Sequence, residues 1–167
     1  MKFLKVNRMN NIPKYSAICM FADFEISNNA TNIIDNELNI ISKLKETYPN
    51  YRTQFDDSKS IADCLETTVD GHTVFCLIIG PSSNHVITHT DLQIALHKLR
   101  NKCMASNIES IVVYTDGLDS LNRTINIPIC IEHDINPRTL SIESNVHDAV
   151  EYAFEDTDIN VVCCNPA

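Results

Sequence analysis

The sequence predicts an α/β protein, a three-layer α/β/α sandwich with a mixed central sheet. Three observations lead there. Short apolar runs of strand length recur along the chain, as in "YSAICMF" and "ESIVVYT". Segments whose apolar residues fall at helical spacing alternate with those runs, the pattern of strands covered by helices. Two of the runs are joined through Asp70-Gly71, a dipeptide that favours a tight hairpin turn.

Each element follows in order. "KFLKV" (2–6) and "YSAICMF" (15–21) read as buried strands, separated by a turn at Asn10, Asn11 and Pro13. A polar loop, "EISNNATN", comes next. Ile33, Ile34, Leu38, Ile41 and Leu44 then recur at helical spacing through Lys45, and Pro49 stops that helix. "SIADCLETTVDGHTVFCLII" is the hairpin. The junction "GPSSNH" leads into a helix from Thr90 to Met104, marked by Leu92, Leu96 and Leu99 with Ile94 and Ala95, and Thr90 or Thr88 is its N-cap. "ESIVVYT" is another buried strand. "TINIPICIEH" is apolar but contains Pro128, so it is an edge strand or an ordered loop. Val146, Ala149, Val150, Ala153 and Phe154 form the face of a last helix, and "DINVVCC" is the closing strand. No repeat, low-complexity tract or linker interrupts the pattern, so residues 1–167 are expected to form one domain.

Composition narrows the function classes. The chain has 167 residues, 44% of them hydrophobic and 21% charged, which suits a globular domain with a single core. No apolar run approaches the ~20 residues that span a bilayer, and Lys5 and Arg8 break the N-terminal stretch, unlike a secretory signal. A cytoplasmic or nuclear setting without a membrane partner is expected. The formal net charge of −9 argues against a nucleic-acid partner, which needs a basic footprint. It leaves room for a small anion held by backbone N–H groups.

The seven cysteines are an odd number without a C-x-x-C pair, and most lie in apolar runs such as "SAICMF" and "TVFCLII". They read as buried free thiols rather than a disulfide framework. His85 and His89 are spaced i,i+4, but Thr88 and Thr90 around them mark a helix start rather than a zinc site. No metal and no cofactor is expected.

Three segments together resemble the macro domain, and within it the terminal ADP-ribose glycohydrolase branch. "VFCLIIGPSSNHVITHTDLQIALHKLRNKCMASNIESIVV" is similar to that family's strand, Ser-His loop, leucine-spaced helix and following strand. "DGLDSL" (116–121) is similar to the Gly-Leu-Asp-x-Leu carrying that branch's catalytic aspartate. "VHDAVEYAFEDTDINVVCC" looks like its last helix and strand. The resemblance implies a ligand lying over the C-terminal ends of the central strands, as open α/β sheets generally arrange. It also implies a diphosphate cradled by two glycine-rich loops, an acidic residue after the first strand for adenine, and catalysis by a lysine and an aspartate.

The chain departs from that pattern at most chemical positions. Asn7 and Arg8 stand where the family has Gly-Asp, and "FADFEISNNATN" replaces the first glycine-rich loop without a glycine. The nucleophilic lysine falls at about Gly80, followed by Pro81. Of the second glycine loop only Gly117 remains, and Asp119 aligns with the catalytic aspartate. Side chains in place of those glycines occupy diphosphate space and cost on the order of 1 kcal/mol or more wherever φ must be positive. Asn tolerates such conformations best, so "SNNATN" can keep a loop shape while losing the close approach.

The candidate site residues follow from the resemblance. Asp119 is the candidate catalytic group, or else a turn aspartate, and Asp116 shares either role. Asp23, Asn28, Asn29, Gly80, Ser82, Ser83, Asn84 and Gly117 are the candidate ligand contacts. Each has a plainer reading: Gly80 through Asn84 as a strand-ending turn, Asn28, Asn29 and Asn32 as a solvated loop, Asp23 and Glu25 as surface carboxylates. His85 packs at its loop, and "EDTD" (155–158) is a solvated face or a helix-end turn.

The expected function is that of a divergent macro domain, a non-catalytic binding or interaction module with weak or lost affinity for ADP-ribose or a related nucleotide, or with a protein partner. One alternative is a hydrolase removing ADP-ribose from acidic side chains. Another is a structural or assembly domain of a viral or transposon polyprotein.

Overall fold

In a computed structural model, the residues described are 3–6, 16–22, 40–49, 63–78, 89–114 and 142–164. They form strands β1 (Phe3–Val6) and β2 (Ala17–Ala22), helix α1 (Ile40–Thr47), strands β3 (Asp63–Val69) and β4 (His72–Ile78), helix α2 (His89–Ala105), strand β5 (Ser110–Tyr114), helix α3 (Ile142–Phe154) and strand β6 (Asn160–Cys164). The strands build one six-stranded sheet in the order β1-β6-β5-β2-β4-β3. The pairings β1–β6, β6–β5, β5–β2 and β2–β4 are parallel, and β3 joins β4 antiparallel, so the sheet is mixed as expected.

Period-two alternation divides the core between two faces. On one face Cys19, Phe21, Phe75, Leu77, Ile111, Val113 and Val161 pack with Leu92, Leu96 and Leu99 of α2 and with Ala149, Val150 and Phe154 of α3. On the other, Ile18, Met20, Ala22, Cys76, Ile78, Val112 and Tyr114 pack with Ile40 and Leu44 of α1. Helices on both faces of one sheet make the three layers. β2 lies in the middle, and all six of its residues are buried, which explains why "AICMFA" is apolar throughout rather than alternating.

Local chemistry explains the element ends. Asp70 (φ 49°) and Gly71 (φ 81°) are both left-handed, as a two-residue hairpin of the twist-matching kind requires. α2 stops at Asn107 (φ 56°), and Ile108 N–H reaches back to the Cys103 carbonyl at 2.9 Å, a left-handed C-terminal cap built on asparagine instead of glycine. With His89 the first helical residue of α2, Thr90 lies inside the helix, while Thr88 falls outside the described residues. Leu92, Ala95, Leu96, Leu99 and Cys103 form the buried stripe of α2, whereas Ile94, read from sequence as part of that pattern, is 43% exposed. The "EDTD" stretch is a helix-end turn. Its Thr157 is buried, with Oγ1 donating to the Phe154 carbonyl at 2.7 Å. No described helix is long and apolar enough to cross a membrane.

Candidate functional site

Registers locate the edge where a ligand site would be built. Val6 pairs with Cys164, Cys164 with Tyr114, and Met20 with Cys76, so the five parallel strands end on one side of the sheet. β2 and β4 run two residues further along their own pairing, to Ala22 and Ile78, a projection of about 7 Å at ~3.3 Å per residue. These ends are lined by Ala22, Ile78, Tyr114 and Cys164, all on the α1 face and all buried.

The helices then separate the connections. After β2 the next described helix is α1, on one face, while β4 and β5 are followed by α2 and α3 on the other. β2 is thus flanked on both sides by strands whose following helices cover the opposite face. Adjacent strands with diverging connections leave a crevice outside their C-terminal ends, the usual ligand position in an open α/β sheet.

The sequence-derived site residues all belong to the segments that follow these strand ends. Asp23, Glu25, Asn28, Asn29 and Asn32 follow Ala22. Gly80, Ser82, Ser83, Asn84 and His85 follow Ile78, and Asp116, Gly117 and Asp119 follow Tyr114. All of them lie outside the described residues, as do Asn7, Arg8 and the 122–141 stretch containing Pro128. What the structure places is the strand ends they follow, Ala22, Ile78 and Tyr114, which lie on one side of the sheet.

Among the described residues six cysteines, Cys19, Cys64, Cys76, Cys103, Cys163 and Cys164, are buried and carry thiols rather than disulfides. Burial pushes the Cys64 thiol up to about 11 and the Cys103 thiol to about 12, and burial together with neighbouring thiols raises Cys19 as well. Thiols that hold their protons are poor nucleophiles and poor metal ligands. No group of three or more metal-ligating side chains occurs among the described residues. At the opposite edge of the sheet, His72 Nδ1 lies 2.8 Å from the Ser16 carbonyl, and Ser16 Oγ lies 3.0 Å from Ser110 Oγ. These contacts tie the starts of β2, β4 and β5 together.

Sequence reading missed an open groove of about 590 Å³ at that opposite edge, lined by residues of the turns that enter β5 and β6, including Met104, Asn107, Glu109 and Asp158. Its walls come from two turns remote in sequence, and neither shows a pattern that marks it.

No family model matches the chain, and no curated protein matches it in sequence. Solved structures do match. A macrodomain protein from Streptomyces coelicolor superposes with a TM-score of 0.60 at 10% identity, covering 98% of each chain. The macrodomain of Mycobacterium tuberculosis DarG gives 0.59 at 12% identity, covering 98% of this chain and 99% of the other. The chain has the macrodomain fold.

At these identities the likeness extends to the backbone path and no further. A tomato leucine aminopeptidase is also similar over 98% of this chain, at a TM-score of 0.54 and 12% identity, and the match covers 32% of that enzyme. One fold therefore serves proteins of different description.

Proposed function

We propose that this macrodomain is a binding or interaction module in which affinity for ADP-ribose or a related nucleotide is weak or lost and catalysis is absent. The observation that carries this reading is where the glycines go. The chain has three, and Gly71 is committed to the β3–β4 hairpin, at the sheet edge opposite the C-terminal strand ends. Gly80 and Gly117 alone remain for segments that, in the family the sequence resembles, need several glycines to bring backbone N–H groups onto a diphosphate. With no lysine near position 80, the nucleophile of the glycohydrolase branch is missing as well. A protein ligand at the same edge fits a loop set rich in Asn and Ser.

Calorimetric titration with free ADP-ribose, paired with a thermal-shift series, tests the proposal. Weak or absent heat with no shift in melting temperature is the expected result. Tight saturable binding together with release of ADP-ribose from modified glutamate would overturn it.

A second reading rests on Asp119, five residues beyond the end of β5 and within "DGLDSL". There the chain is a hydrolase that removes ADP-ribose from acidic side chains, with Asp119 as acid/base and Asp23, Asn28, Asn29, Gly80, Ser82, Ser83, Asn84 and Gly117 as ligand contacts. Asp119→Ala then abolishes turnover while the melting temperature stays nearly unchanged.

A further inference from the structure

β3 is an edge strand, and among the described residues no strand pairs beyond it. In an antiparallel ladder a residue's N–H and C=O point the same way, and the direction alternates along the strand. Edge strands therefore present a row of backbone groups to any passing strand. On β3 that row is Cys64, Glu66 and Thr68, because the backbone of Glu66 is engaged on the side away from β4.

The engagement is unusual in coming from a single side chain. Glu66 N–H donates to the Tyr48 hydroxyl at 3.1 Å, and the same hydroxyl donates to the Glu66 carbonyl at 2.9 Å. One phenol thus satisfies both groups that a neighbouring strand would use. Two residues along, Lys102 Nζ donates to the Cys64 carbonyl at 2.8 Å. Tyr48 arrives from the α1 face and Lys102 from the α2 face, so Glu66 and the Cys64 carbonyl are capped from opposite sides of the sheet.

Tyr48 is held in position before any partner arrives. Its N–H donates to the Leu44 carbonyl at 2.8 Å, extending the last turn of α1. Beside it, Thr47 Oγ1 lies 3.0 Å from Thr67 Oγ1, which pins the helix end to β3, and the ring packs against the core of the α1 face.

We propose that Tyr48 and Lys102 form a side-chain plug that prevents β3 from pairing with β3 of a second copy of this chain. The bare edge suits a copy of itself. A two-fold pairing with Glu66 opposite the copy's Thr68 matches donors to acceptors and keeps the two carboxylates from facing each other. Seven residues is an ample strand for such pairing.

The test compares the full-length wild type with Tyr48→Phe and with Tyr48→Phe/Lys102→Met, by site-resolved amide hydrogen exchange and by sedimentation equilibrium across a concentration series. Tyr48→Phe keeps the ring and removes only the hydroxyl, so the fold is retained. The Glu66 amide is expected to exchange about tenfold faster in that variant, the factor set by one hydrogen bond's net contribution, with the Phe75 amide of β4 unchanged. The double variant is expected to dimerise with rising concentration where the wild type keeps a single mass, and adding Thr68→Pro, which removes an outward donor, should restore the monomer. Unchanged Glu66 exchange in Tyr48→Phe would overturn the plug. A double variant with a deprotected Glu66 and a constant mass would overturn its role against a second copy.

Discussion

Arg100 and Asp156 meet across 56 residues of sequence in a two-pronged ion pair, Nε to Oδ1 at 3.1 Å and Nη2 to Oδ2 at 2.6 Å. The pair ties the middle of α2 to the turn after α3. It runs parallel to an edge-to-face contact of His97 with Tyr152, ring centroids 6.0 Å apart, and to a 3.5 Å bond from Gln93 Nε2 to the Ala149 carbonyl. A forked guanidinium on a carboxylate is the arrangement in which a surface pair has a measurable effect.

The sign of its pH dependence follows from the carboxylate. Hydrogen bonding from Arg100 holds Asp156 below the ordinary value of 3.8. A group depressed in the folded state contributes stability above its unfolded pKa and loses it as pH falls through the folded one. Asp156→Asn is therefore expected to lower the melting temperature slightly at pH 7, and the gap from wild type should close as pH falls below 3.8. Calorimetric melting of both proteins across that range checks it, and high salt should shrink the gap at neutral pH.

The buried thiols make the opposite prediction. Cys64, raised to about 11, and Cys103, raised to about 12, stay protonated in the folded protein well above the ordinary thiol value of 9.0. Their contribution to stability is complete below pH 9.0 and declines as pH rises toward those values. Labelling with an aromatic disulfide reagent at pH 8 should be slow for both in the native state and fast in denaturant. Rapid native labelling of Cys64 would contradict its burial.

Gly71 supplies a backbone conformation rather than space. Its φ is +81°, and a Cβ built there would meet no neighbour within 4 Å. Gly71→Ala should cost about 1 kcal/mol through the left-handed penalty alone, and Gly71→Asn less, because asparagine tolerates that region. Urea midpoints with an unchanged m-value would show that the hairpin, not the denatured state, is affected.

Phe75 tests the central packing. It sits on β4 with no exposed surface, between β2 and the antiparallel β3, and faces α2 and α3. Phe75→Ala should destabilise by about 3–5 kcal/mol, while Tyr152→Ala, at a residue 59% exposed, should cost far less. Parallel denaturant titrations of the two variants check the ratio.

Much of the fold was legible from residues alone. The Asp70-Gly71 hairpin, the continuous apolar run of β2 and the leucine stripe of α2 are local signals, set by turn chemistry and periodicity that neighbouring residues already contain. Ile94 shows where such reading stops: apolar identity places it in the helix, but its azimuth, off the Leu92-Leu96-Leu99 stripe, leaves it in solvent. The candidate ligand residues were legible as loop chemistry and as a resemblance, and their segments follow strand ends on one edge.

The sequence by itself determined the layers, the mixed sheet, the scarcity of glycine and the absence of a lysine at the expected position, because each is a matter of residue type and local spacing. Only the tertiary structure decided the strand order that brings the ends of β2, β4 and β5 together, the Arg100–Asp156 clamp, and the closing of Glu66 by Tyr48. These depend on which distant segments become neighbours. Burying both faces of one twisted sheet selects that arrangement, and no single segment contains it.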